Sequence, residues 1–128
     1  MRYLIDVNVL VAFVYRNHGE HNRVGRWLVS LPKHSRLVTC AITEIGCVRV
    51  GLAARLAPNI AFAQRALAEF KKAAATEFLS DDVGADRLPA YVNAAAETTD
   101  GHLLELATAH GLRFATLDHG IPGAIQIA

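Results

Sequence analysis

The sequence predicts an α/β domain built on a parallel sheet of about five strands, with helices flanking both faces. Short apolar segments that suit buried strands alternate along the chain with longer segments that suit helices. This alternation is typical of parallel sheets covered by helices. The length of 128 residues fits a single domain spanning residues 1–128, and an apolar content of 52% excludes a disordered chain.

The first half of the chain is predicted to hold two strands and several helices. Residues 3–5 form a strand candidate, and the apolar run 9–15 suits either a strand or a buried helix by periodicity alone. Helical spacing of apolar residues follows over 24–31 and stops at Pro32. The next elements are a strand over 36–40, a helix beginning at Thr43 and Glu44, and an amphipathic helix over 60–75.

The second half continues the alternation. Residues 76–80 predict a third strand, 81–86 a loop, and 89–96 a short helix, because proline is favoured at a helix start. A helix beginning at 98–100 ends at His110 and Gly111, a typical C-terminal signal. Residues 113–116 and 124–127 predict the fourth and fifth strands.

Membrane and secreted classes are not expected. The longest apolar run, residues 9–15, is far shorter than the roughly 18 residues of a transmembrane helix, and no signal-peptide pattern surrounds it. Cys40 and Cys47 are too few for a disulfide framework and suit buried thiols in a reducing compartment. The expectation is a cytoplasmic protein.

Four acidic residues lie near predicted strand ends. Asp6 directly follows the first strand, Glu44 lies in the first turn after the second, Asp100 opens a helix, and Asp118 follows the fourth strand. Each alone also suits a helix cap or a turn. Ligands of parallel α/β sheets bind beyond the carboxyl ends of the strands, so the four could meet at one edge. Clustered carboxylates need cations, and hard ions such as Mg²⁺ or Mn²⁺ prefer oxygen ligands and support phosphodiester hydrolysis.

Four segments carry a resemblance to a known family: YLIDVNVLVA, TEIG, TTDGHLLELA and FATLDHG. In order and spacing the chain resembles the PIN-domain ribonucleases, in particular the VapC toxins of type II toxin–antitoxin systems. The resemblance implies a PIN-like fold and an endoribonuclease dependent on Mg²⁺ or Mn²⁺. It assigns the acidic metal site to Asp6, Glu44, Asp100 and Asp118. It also makes Asn8 and Thr116 polar supports, while Val7 stands where many relatives carry Thr or Ser.

The resemblance also implies partners. The substrate is expected to be a structured RNA such as tRNA or rRNA, whose cleavage into 5′-phosphate and 3′-hydroxyl ends arrests translation. A VapB-type antitoxin is expected to lay its tail across the acidic groove. A homodimer is usual in this group. Apolar helix positions offer a self-contact, although core packing explains them equally well: Val24, Trp27, Leu28, Val48 and Leu52.

Several alternatives remain open from the sequence. His102, two residues after Asp100, either touches a phosphate or a water behind the metal ligands, or packs at the sheet rim. A non-catalytic RNA-binding or scaffolding module of the same fold is the main alternative, and a flap-type DNA nuclease a weaker one. The net charge of +1 argues against a purely electrostatic RNA binder. Without the four site carboxylates, however, 13 basic residues face eight acidic ones, so a basic surface around an acidic pocket is expected.

Overall fold

A five-stranded parallel sheet forms the centre of the computed structural model, which describes residues 1–128. Its strands are β1 Arg2–Ile5, β2 Arg36–Cys40, β3 Glu77–Leu79, β4 Arg113–Thr116 and β5 Ile125–Gln126. They lie in the order β3-β2-β1-β4-β5, and every neighbouring pair is parallel. The strand order reverses direction between β1 and β4. In such sheets the crevice at that point is where ligands bind.

Helices cover both faces of the sheet, as predicted. They are α1 Val7–Val14, α2 His21–Ser30, α3 Ala41–Ala53, α4 Ile60–Ala74 and α5 Thr98–Ala109. Helices α1 to α4 contribute buried side chains to the core on one face, and α5 packs on the other. No helix combines the length and apolar character needed to cross a bilayer.

The two cores follow from the pleat of the strands. Tyr3 and Ile5 of β1 point into the core beneath α1, whereas Leu4 between them points to the opposite face and joins Leu103 and Leu106 of α5. Successive side chains of a strand alternate between faces, so a strand buried on both sides reads as a continuous apolar run. The central strand β1 is therefore packed on both faces. This packing fixes the position of Asp6, which directly follows the strand.

The apolar run 9–15 forms helix α1 rather than a strand, ending at Val14. Asp6 precedes the helix in an extended conformation, and its side chain accepts a hydrogen bond from the Val7 N–H. Residues from Val9 to Phe13 are all buried. Tertiary burial therefore outweighs the modest helix propensity of β-branched residues here.

The short helix predicted over 89–96 is wrong. The segment makes turns, with one Val92 N–H to Pro89 carbonyl bond, and only Ala95–Glu97 forms a 3₁₀ turn. Val92 packs so tightly on α5 that a Cβ added to Gly101 would lie 2.2 Å from Val92 Cγ2. The segment packs onto α5 instead of forming a helix of its own, and the β-branched Val92 has a low helix propensity.

The proposed self-contact residues are largely used inside the subunit. Val24 is completely buried, Trp27 packs edge-on against Tyr3, and Val48 and Leu52 are partly buried against the same core. Leu28 alone of the five is exposed, with 36% of its surface accessible. Core packing therefore accounts for four of the five residues, and only Leu28 lies mainly on the surface.

Candidate active site

Three carboxylates meet at the carboxyl edge of the sheet. Asp6, Asp100 and Asp118 each offer an oxygen atom, and these atoms lie within 4.8 Å of one another. Asp6 comes from the end of β1, Asp100 from the first turn of α5 and Asp118 from the segment after β4. We call these three residues the acid trio. The strand-end argument from the sequence anticipated that these three would lie together.

Asp6 is held in place by two hydrogen bonds. Its Oδ1 accepts from the Val7 N–H at 2.7 Å, and its Oδ2 accepts from the Thr116 hydroxyl at 2.7 Å. The Asp6 N–H donates to the Ala115 carbonyl at 2.9 Å, which extends the pairing of β1 with β4. With only 3% of its surface exposed, Asp6 is fixed in position before any ligand arrives.

The segment that carries Asp118 is fastened by the two predicted polar supports. The Thr116 hydroxyl accepts a hydrogen bond from the Asp118 N–H at 3.0 Å while it donates to Asp6. Asn8 Oδ1 accepts from the Leu117 N–H at 3.3 Å. Thr116 thus connects two members of the acid trio through one hydroxyl group.

The acid trio has no cationic partner, since none of the chain's salt bridges involves Asp6, Asp100 or Asp118. Burial, together with the charges of Asp6 and Asp118, raises the pKa of the Asp100 carboxyl to about 6. Burial and the Asp118 charge also raise the pKa of Asp6, against the opposing effect of its hydrogen bonds. The trio is therefore an unneutralised negative centre.

The donor chemistry fits a hard divalent cation. All three donors are carboxylate oxygens, the ligand type that Mg²⁺ and Mn²⁺ prefer over the softer nitrogen and sulfur sets. Like-charged carboxylates this close repel, and a divalent ion removes that repulsion. The residues present therefore suit such an ion, although the arrangement does not distinguish Mg²⁺ from Mn²⁺.

Glu44, expected in the same set, does not join the acid trio. Its Oε2 lies 2.7 Å from the Lys71 Nζ and accepts a hydrogen bond from the Thr39 hydroxyl at 2.6 Å. Lys71 belongs to α4, so Glu44 links α3 to α4. A lysine 27 residues further along the chain cannot be matched to Glu44 by local spacing, and this explains the discrepancy.

His102 also has a different partner. Its Nε2 makes a short hydrogen bond with Asp81 Oδ2, in the loop after β3. The side chain is largely buried and lines a cavity that neighbours the acid trio. The structure thus gives His102 a specific polar contact at the rim, beyond plain packing.

Two further residues near the trio were not among the predicted site residues. A cavity of about 250 Å³ contains the acid trio, and Arg49 of α3 and Thr99 of α5 also line it. Arg49 is exposed and makes no ion pair within the chain. One of ten scattered arginines carries no distinguishing signal in the sequence. Only its position five residues after Glu44 on α3 could have drawn attention to it.

The metal-free protein is expected to lose stability as the pH rises from about 4 to about 7. Asp100 has a pKa of about 6 in the folded state against an ordinary 3.8, so the folded chain binds more protons in this window. Stability falls with pH wherever the folded state holds the extra proton. Thermal melts in EDTA should show a Tm about 3 °C lower at pH 7 than at pH 4.5. Asp100→Asn should remove most of that difference, and an unchanged pH dependence in this variant would contradict the assignment.

An α/β domain with carboxylates clustered beyond its central strands is the arrangement expected of a nuclease-like protein. Comparison with known proteins identifies the family. The PIN domain profile matches residues 3–124. The chain is 37% identical to Ribonuclease VapC38 of Mycobacterium tuberculosis over 125 residues, covering 92% of this chain and 86% of the relative. It is 36% identical to Ribonuclease VapC44 of the same species, covering 98% and 96%. The chain therefore belongs to the PIN-domain family, among the VapC ribonucleases.

Solved structures show the same fold. One is the crystal structure of VapBC2 from Rickettsia felis bound to a DNA fragment from their promoter, with a TM-score of 0.65, 15% identity and coverage of 98% of this chain and 97% of that one. Another is Mycobacterium tuberculosis VapC20, a Sarcin-Ricin loop cleaving toxin, with a TM-score of 0.64, 12% identity and coverage of 94% and 91%. These likenesses confirm the PIN-like architecture.

Proposed function

We propose that this chain is the toxin of a type II toxin–antitoxin system, an endoribonuclease that hydrolyses phosphodiester bonds with the help of Mg²⁺ or Mn²⁺. The observation that supports it best is the acid trio: three carboxylates within 4.8 Å, none of which forms an ion pair with a cationic side chain. Such a cluster is costly to the fold unless it serves a bound cation. The VapC relatives, named as ribonucleases, give the reaction type.

In this proposal Asp6, Asp100 and Asp118 hold the cation. A bound divalent ion would make a water more nucleophilic and neutralise charge on the scissile phosphate. The chain's own residues prepare the site. Thr116 orients the Asp6 carboxylate and the Asp118 backbone. Asn8 fixes the backbone at Leu117, between Thr116 and Asp118. Preorganised ligands of this kind avoid reorganisation when substrate binds.

The substrate we propose is a structured RNA, either tRNA or rRNA, whose cleavage stops translation. The chain has nine aromatic residues in all, which is sparse for a stacking platform of the kind that sequence-tolerant single-strand binders use. Recognition of RNA shape and backbone suits this surface better. The two buried free thiols, Cys40 and Cys47, are compatible with the reducing cytoplasm, where these RNAs lie.

The direct test is cleavage of total bacterial RNA by the purified protein, followed by sequencing of the new 5′ ends. Discrete cuts bearing 5′-phosphates are expected with Mg²⁺ or Mn²⁺, and none with EDTA. Calorimetric titration with Mn²⁺ separates this proposal from a non-catalytic module of the same fold. Absence of both binding and cleavage would favour that module.

Arg49 is expected to contact an RNA phosphate beside the acid trio. Its guanidinium lines the same cavity and is free of ion pairs, and a planar fork of donors suits phosphate oxygens. Arg49→Gln should raise the KM for RNA about 10-fold and lower the salt dependence by roughly one phosphate contact, with kcat little changed. Arg113→Gln is the matched control, because Arg113 begins β4 at the opposite edge of the sheet. Equal effects of the two substitutions would refute this role.

We also propose two protein partners, an antitoxin and a second copy of the chain. A VapB-type antitoxin is proposed to cover the acid trio with its tail, an arginine of which would replace the cation. The VapBC2 structure is a toxin–antitoxin complex of the same fold.

A homodimer is proposed from the family alone. Sedimentation at micromolar concentration should show a dimer, and a monomer throughout would remove that proposal.

A further inference from the structure

A second cavity adjoins the acid trio. It has a volume of about 420 Å³ and lies between the start of α3, the loop after β3 and the first turns of α5. Thr99 lines both this cavity and the one that holds the trio. A group bound here would therefore sit directly beside whatever occupies the trio. The volume lies within the range of small-molecule sites.

One side of this cavity is apolar and another is polar. Ile42, Val83 and Leu88 supply aliphatic surface, and Thr98, Thr99 and His102 supply polar atoms. No lysine or arginine lines the cavity, and Asp81 adds a carboxylate, so a phosphate is disfavoured there. A flat ring with a hydrogen-bonding edge suits both sides, and an RNA base is such a group.

The polar side is held in a defined orientation. His102 Nε2 binds Asp81 Oδ2, and Asp81 Oδ1 accepts from the Val83 N–H at 3.1 Å. These contacts fix the imidazole and leave its Nδ1 without a hydrogen bond in the chain. Thr98 donates its hydroxyl to the Ala95 carbonyl at 2.8 Å, and the Thr99 hydroxyl makes no internal hydrogen bond. A ligand can therefore pair with His102 and Thr99 without breaking an existing contact.

We propose that this cavity is a base subsite, which receives the base of the nucleotide adjoining the phosphate held at the acid trio. The inference rests on the proposed ribonuclease function and deepens it, because it gives the enzyme a local sequence preference. The base inserts against the aliphatic side, and its edge pairs with His102 Nδ1 and the Thr99 hydroxyl. The subsite then recognises the base of one nucleotide, and the acid trio acts on the phosphate adjoining that nucleotide.

His102→Ala tests the polar side against a close control. His110 caps the C-terminal end of α5, and its Nε2 binds Asp82 Oδ1 at 2.8 Å in the same loop that His102 contacts, but it does not line the cavity. Both substitutions loosen the loop, and only His102→Ala removes a base contact. The readout is the set of bases flanking every cut in total bacterial RNA. His102→Ala should change the preference at one flanking position about 10-fold, and His110→Ala should preserve it.

Ala85→Phe tests the cavity by filling it. Ala85 lines the cavity from an exposed position, so a larger side chain there narrows the cavity without entering the core. Ala90→Phe is the control, because Ala90 is also exposed and lies outside the cavity. Ala85→Phe should lower cleavage of the preferred sequence about 10-fold and leave Mn²⁺ binding unchanged, and Ala90→Phe should do neither.

The outcomes separate this inference from the function on which it rests. If the wild type cuts RNA with no preference at any flanking position, or if His102→Ala and His110→Ala slow all sites equally, the base subsite is wrong and the ribonuclease stands. If the two alanine variants differ only in binding a VapB-type antitoxin, the cavity belongs to a protein contact and the proposal fails. If the wild type cuts no RNA, both fall.

Discussion

Asp100→Asn is expected to lower the rate of RNA cleavage by at least about 100-fold and to weaken Mn²⁺ binding strongly. The substitution keeps the shape of the side chain and removes one of three carboxylates whose oxygens lie within 4.8 Å. Asp100 lies half-buried in the first turn of α5, so the fold should survive. Cleavage rates with saturating Mg²⁺ and calorimetry with Mn²⁺ measure the two effects.

The same variant should be more heat-stable than the wild type in EDTA at neutral pH. Burial and the charges of Asp6 and Asp118 raise the pKa of Asp100, and loss of this half-buried negative charge relieves both effects. Sites built for function commonly trade stability for activity in this way. Asp86→Asn, in an exposed turn without an ion pair, should alter neither property. Undiminished, EDTA-resistant cleavage by Asp100→Asn would overturn the assignment of the trio.

Thr116→Val is expected to weaken Mn²⁺ binding by about 10- to 100-fold, although Thr116 would not touch the ion. The hydroxyl donates to Asp6 Oδ2 and accepts from the Asp118 N–H, so valine removes one of the two hydrogen bonds that hold the Asp6 carboxylate and leaves the Asp118 N–H without its acceptor. Because Thr116 is completely buried, no water replaces the lost contacts easily, and a stability loss of about 1–3 kcal/mol should accompany the change. Calorimetry and thermal melts measure both.

Thr39→Val provides a matched comparison. Thr39 is equally buried, on β2 at the other side of β1, and its hydroxyl donates to Glu44 instead of the trio. It should cost similar stability and leave Mn²⁺ affinity within about twofold, because Glu44 pairs with Lys71. An equal loss of Mn²⁺ affinity in both variants would instead bring Glu44 into the metal site, as the family resemblance implies.

The sheet was largely predictable from the chain. Strands β2 and β4 have the predicted bounds, because each is a short apolar run with a clear break before it. The run that became α1 could not be assigned by periodicity, since both strand and buried helix tolerate continuous apolar residues. The region around Val92 was misjudged because its packing against Gly101 is a long-range contact that no local pattern encodes.

The site was predictable to the extent that it follows from strand ends. Ligands of parallel α/β sheets bind beyond the carboxyl ends of the strands, and this rule predicted the proximity of Asp6, Asp100 and Asp118 despite their separation in sequence. It could not anticipate that Lys71 would pair with Glu44, or that Asp81 would pair with His102, since both partners come from other elements. The metal-binding and catalytic roles of these residues remain predictions.

The position of β1 between β2 and β4 has a consequence for how the protein is made. Asp6 leaves the ribosome 110 residues before its hydrogen-bond partner Thr116. Domains fold during synthesis only as far as the emerged chain permits. A nascent chain therefore lacks the trio until translation has passed residue 118, and premature termination before that point releases fragments without it.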